Sequence, residues 1–132
     1  MSSFRVPYSA LNWFKAAIAK HSEVVSSGVT DHHFFRIARK KQPQEVNVVL
    51  VDIYTVSLAD VLKARQEFPD ATCIVTSGDW NAYTPEAKEY GLANGFGVFN
   101  TTEFLGALNW DEIHKYHKKD HKGHPTYETR SS

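Results

Sequence analysis

The chain has one cysteine, Cys73, set in the apolar run Ala71–Thr76. A single thiol excludes an intrachain disulfide framework and a cysteine-based zinc site, and reads as a small buried hydrophobe. No apolar run approaches the ~20 residues that span a bilayer. The opening Met-Ser-Ser-Phe-Arg-Val-Pro lacks a charged-then-apolar leader, so a cytoplasmic protein without membrane association is expected. Net charge is also missing, with 15 basic and 15 acidic side chains. Without a positive excess, nonspecific affinity for nucleic acid is modest. No internal repeat is present.

What the chain does have is an apolar supply sufficient for one core. Its 132 residues fit one domain, and 42% are hydrophobic and 13% aromatic. Charge is segregated along it. Residues 1–41 carry seven Lys/Arg against Glu23 and Asp31, whereas residues 60–112 carry three basic and nine acidic side chains. A packed domain is expected over residues 1–109, followed by a charged His/Lys-rich tail over residues 110–132.

Periodicity predicts the elements. Ser9 reads as an N-cap, followed by Leu11, Phe14 and Ile18 at helical spacing, with Trp13 and Ala17 widening that face. Glu23–Ser26 reads as a short strand closed by Ser27-Gly28. Residues 31–41 fit two patterns: Phe35 and Ile37 alternate as in a strand, and Phe34, Ile37 and Ala38 share a helical face. The polar turn Lys40–Glu45 before Val46–Tyr54, whose core Val48–Val51 reads as a buried strand, favours a hairpin. Ser57–Asp60 is a capping box, and its helix ends at Pro69-Asp70. Ala71–Ser77 is the next strand. Thr84-Pro85-Glu86 opens a helix that closes at Asn94-Gly95. Gly97–Asn100 is a short strand, and Thr102-Glu103 caps a last helix with Phe104, Leu105 and Leu108. The class is therefore α/β, with a mixed central sheet of about five strands flanked by helices.

Two acids stand where strands meet a rim. Asp31 begins the segment read as the hairpin's second strand, and Asp52 ends the most hydrophobic strand. Strand ends are where ligands and metals collect. Two convergent carboxylates suit Mg²⁺, a hard cation that keeps several waters. The basic group Arg36, Arg39, Lys40 and Lys41 is the candidate for contact with a DNA phosphate backbone, which positions a duplex without reading its sequence. His114, His117, His121 and His124 crowd the tail with Asp120, and a lysine-rich segment of that kind reads as solvated.

Residues 74–108 carry a family resemblance: Ile-Val-Thr-Ser-Gly-Asp-Trp, Thr-Pro-Glu-Ala-Lys-Glu-Tyr, Asn-Gly-Phe-Gly-Val-Phe-Asn and Glu-Phe-Leu-Gly-Ala-Leu. With the order helix, hairpin, third strand, helix, strand, helix, strand, the chain resembles the PD-(D/E)xK nuclease superfamily, and within it the Mrr-type restriction endonucleases and resolvase-like proteins. The resemblance implies a restriction-endonuclease-like core and Mg²⁺-dependent DNA hydrolysis. Asp31 then matches the first metal-binding aspartate, and Asp52-Ile53-Tyr54 the (D/E)xK tripeptide. Tyr54 stands in the lysine's place, and a phenol of pKa near ~10 supplies no cation. Lys63, on the following helix, is the candidate substitute.

Two alternatives remain open. Val49–Tyr54 followed by a helix and Thr76-Ser77 also resembles a response-regulator receiver domain, with Asp52 as phosphoacceptor and Thr76 as switch hydroxyl. That domain needs a helix in place of the second hairpin strand. A protein-interaction module, acting as an adaptor, an inhibitor or a homodimer partner, is the other reading. It rests on the missing lysine and on Trp80, Tyr83 and Trp110 as exposed aromatics.

Overall fold

A computed structural model describes residues 4–31, 33–78, 81–116, 118–119 and 125–126, by backbone alone at 31, 118, 119, 125 and 126. Helix α1 (Tyr8–Ala19) precedes three strands, β1 (Val24–Asp31), β2 (Phe34–Arg39) and β3 (Val46–Val51). The short β4 (Thr55–Val56) leads into α2 (Leu58–Glu67), β5 (Cys73–Thr76) and β6 (Ala82–Tyr83). Then come α3 (Pro85–Asn94), β7 (Gly97–Asn100) and α4 (Thr101–Ala107). A 3₁₀ turn at Ile113–Lys115 follows, with β8 (Lys118–Lys119) paired to β9 (Pro125–Thr126).

The central sheet has the order β1-β2-β3-β5-β7. Its first three strands are antiparallel, and β3, β5 and β7 run parallel. The expected mixed five-strand α/β sheet is therefore what the chain forms. Strand β2 pairs with β3 from Phe34↔Val49 to Ile37↔Val46, so residues 34–39 take the strand and not the helix. The receiver-like arrangement, which needs the helix, is not adopted.

Strand β3 is buried at all six positions, as expected of a central strand covered on both faces. Alternation divides its side chains between two cores. Val48 and Leu50 face α1 and α4, packing with Phe14, Ile18, Phe99 and Phe104. Val49 and Val51 face α2 and α3, packing with Val61, Ala64, Ala87 and Val98. The period of two places Asp52 on the α1/α4 face.

Several local expectations need correction. Strand β1 continues through Ser27-Gly28 to Asp31, because Ser27 and Gly28 pair with Ile37 and Arg36. Asp31 therefore ends β1 and does not begin β2. Helix α1 is capped by Pro7 without a side-chain bond, so Ser9 lies inside its first turn. Trp13 is 56% exposed and does not widen the core face. Helix α4 is capped by Asn100, whose side chain accepts from the Glu103 amide while Glu103 reaches back to the Asn100 amide. Packing also continues past Asn109: Ile113 is buried, and Tyr116 packs on the same layer and edge-on to Trp110. His32, Trp80, His117, Asp120, His121 and His124 lie outside the described residues.

Helix α3 lies tight against β7 at a glycine. A Cβ on Gly91 would stand 2.2 Å from the Phe96 carbonyl oxygen, a backbone atom that has no rotamer to escape by. Gly91→Ala is expected to cost roughly 2–4 kcal/mol in urea denaturation. Gly28→Ala, where a Cβ meets nothing within 4 Å, is the control and should stay within about 0.5 kcal/mol. Equal stability of the two variants would contradict this packing.

Candidate functional site

The parallel strands end at a common rim. Asp52 follows β3, Ser77 and Gly78 follow β5, and Thr101 follows β7. With Trp13 and Phe14 of α1 they border a cavity of about 420 Å³. Crevices outside the carboxyl ends of parallel strands are the usual ligand position in α/β sheets.

Thr76, fully buried at the end of β5, organises this rim. Its hydroxyl donates to the Ile53 carbonyl at 2.6 Å and accepts from the Ile53 amide at 3.1 Å. That fixes the chain just after Asp52. Asn81 then bridges the two, donating from Nδ2 to Thr76 Oγ1 at 3.2 Å and to Asp52 Oδ1 at 3.0 Å. Ser77 Oγ donates to the same carboxylate oxygen at 3.2 Å. Thr101 Oγ1 donates to the Thr76 carbonyl at 3.2 Å. Asp52 is thus a solvent-facing carboxylate held on one oxygen by two donors, and Oδ2 carries no hydrogen bond among the described residues.

The other expected catalytic residues stand elsewhere. Asp31 sits opposite Phe34, which sits opposite Val49, three positions below Asp52 on β3. Two strand spacings and three residues of rise put the Cα atoms on the order of 14 Å apart. The two acids share an end of the sheet, with β2 between their strands. Lys63 lies on the other face of the sheet, its ammonium 5.5 Å from the centroid of the Phe4 ring in the α2/α3 layer. Tyr54 is 60% exposed just beyond Ile53 and does not border the cavity. Among the described residues no cluster of three or more His, Cys, Asp or Glu is placed to hold a metal ion.

The basic group lies at the opposite end. Arg39 pairs with Val24 where β1 begins, the far edge from Asp52. Its side chain is 94% buried by its 6% exposure and donates to the carbonyls of Leu108, Trp110 and Asp111. Burial lowers its affinity for the proton against the pull of Asp111 and Glu23. Arg39 therefore clamps the end of α4 and is not presented to a phosphate. Arg36 lies between Glu45 at 3.9 Å and Asp70 at 3.4 Å. Lys40 and Lys41 are exposed.

A second polar group escaped the sequence. Lys88 and Glu103 are each 1% exposed. Lys88 Nζ donates to the Val98 carbonyl at 2.7 Å and lies 4.3 Å from the Phe99 ring centroid, and the Tyr83 hydroxyl donates to Glu103 at 2.7 Å. Tyr83 is thus fully buried, which removes it from the exposed aromatics.

Comparison with known proteins gives no match, whether against family models, curated sequences or solved structures.

Burial lowers Lys88 from its ordinary 10.5 to about 8, against the opposing pull of Glu103. Below that value both folded and unfolded chains hold the proton, and the cost of burying the charge is present in full. Above it the unfolded chain binds more protons, so this group's contribution to stability rises with pH. Relative to Lys88→Met, the parent chain should gain on the order of 2 kcal/mol between pH ~8 and ~10 in chemical denaturation. A pH-independent difference would contradict the assignment.

Proposed function

We propose that this chain is a non-catalytic binding module on a nuclease-like α/β scaffold, with the Asp52 crevice as its ligand site. The order of α1, the β1–β2–β3 meander, α2, β5, α3 and β7 supports the scaffold reading, since it is the arrangement on which the PD-(D/E)xK resemblance rests. The placement of Asp52 carries the functional reading. Hydrolysis in that family's manner needs a second acid and a cation beside it. Here Asp31 is two strands away, Lys63 is across the sheet, and Tyr54 replaces the lysine. What surrounds Asp52 instead is a recognition wall: Ser77 and Asn81 fix the carboxylate, and Trp13 offers an exposed ring.

The direct test incubates the chain with supercoiled, linear and single-stranded DNA and either Mg²⁺ or Mn²⁺. No cleavage above the metal-only control is expected. Metal-dependent cleavage that Asp52→Ala abolishes would overturn the reading.

A second reading, DNA binding through the β2–β3 turn, is favoured by the exposure of Lys40 and Lys41. Two phosphate contacts predict that Lys40→Ala with Lys41→Ala reduces the slope of log K against log salt by about 2. An unchanged slope removes the turn from any DNA interface.

A further inference from the structure

We infer that the Asp52 crevice is a site for a guanidinium group, presented by a small molecule or by an arginine side chain of a partner protein. The inference rests on the crevice being a binding site and names its ligand. It follows from where the protons of the wall are already committed. Both Nδ2 protons of Asn81 go to Asp52 and Thr76. The Ser77 hydroxyl proton goes to Asp52, and that of Thr101 goes to the Thr76 carbonyl. What these side chains offer outward is therefore acceptor capacity: Asp52 Oδ2, Asn81 Oδ1, Ser77 Oγ and Thr101 Oγ1. The amide orientation of Asn81 is dictated by the same bonds, because its carbonyl cannot face a carboxylate oxygen.

A wall of acceptors that includes a carboxylate repels phosphate and sulfate and selects a donor-rich cation. Asp52 is the charged side chain among the described residues bordering the cavity. Trp13 adds an exposed aromatic face, the best partner for a planar cation. Guanidinium fits both surfaces: it carries five donors in a plane, stacks on indole and gives up water more readily than an ammonium does. An alkylammonium has three donors and a tightly held hydration shell, so the same site holds it less well. The uncapped first turn of α1, which brings Ser9 and Ala10 to the cavity, has the opposite preference, for an anion, as does the start of the shorter α4 at Thr101.

The test is titration of the full chain with agmatine, followed by the Trp13 indole N–H resonance, which is assigned by its loss in Trp13→Phe. A saturable shift is expected, with binding weakened about tenfold or more by Asp52→Asn. Trp13→Ala, at a 56% exposed position, should weaken it several-fold as read on the Gly78 amide. Butylamine should bind at least several-fold more weakly than agmatine. An arginine-containing peptide that binds more tightly than agmatine supports the proposal with a protein partner as the source. Equal affinity supports it with a small molecule as the source. Shifts caused by inorganic phosphate and not by agmatine would overturn it, as would agmatine binding untouched by Asp52→Asn. Absence of both cleavage and agmatine binding sinks this inference alone. Asp52-dependent cleavage sinks the reading beneath it.

Discussion

The hydroxyl of Thr76 is the interaction on which the rim depends. It ties the end of β5 to the backbone of Ile53 by two hydrogen bonds and receives Asn81 as a third. Because the hydroxyl is fully buried, leaving it without its partners would carry a desolvation cost. The consequence reaches Asp52. The chain leaves β3 at a fixed angle, and Asn81, held by Thr76, holds the carboxylate in turn. Trp13 and Thr101 arrive independently, on α1 and α4, to complete the crevice.

The sheet separates two kinds of charge that lie close in sequence. Asp31 and Asp52 stand at one end, and Arg39 to Lys41 at the other, since β2 runs opposite to β1 and β3. Arg39 is spent on three carbonyls beyond α4, a use that anchors residues 108–111 to the edge of the core. A carboxylate crevice at one end and two exposed lysines at the other do not form one nucleic-acid surface. They are two separate surfaces, and the proposed ligand belongs to the first.

Much of the architecture was legible because strong local signals agreed with the global fold. The buried strand core Val48–Val51, the Ser57/Asp60 capping box and the Thr84-Pro85 helix start all formed as read, although the strand ends at Val51 and does not reach Tyr54. The hairpin was legible in Phe35 and Ile37, but the extent of β1 was not. Ser-Ser-Gly punctuates a sequence as a turn does, and only pairing with β2 draws it into the strand. At the site, Asp52 was visible from its place at a strand end. Ser77 and Asn81 were not, since their roles come from a side-chain network closed by tertiary contacts. Trp13 misled for a related reason: its helical spacing matches the core face, yet a cavity lies where it points. Lys88 and Glu103 are buried although charged, because Val98 and Tyr83 supply partners that no local pattern announces.

The central claim is that Asp52 is a recognition carboxylate and not half of a metal pair. Titration of Mn²⁺ followed by electron paramagnetic resonance tests it directly, since only unbound Mn²⁺ retains its sharp spectrum. No stoichiometric site that depends on Asp52 is expected, with the parent chain and Asp52→Ala giving the same titration. A single tight Mn²⁺ site in the parent that Asp52→Ala removes would contradict it.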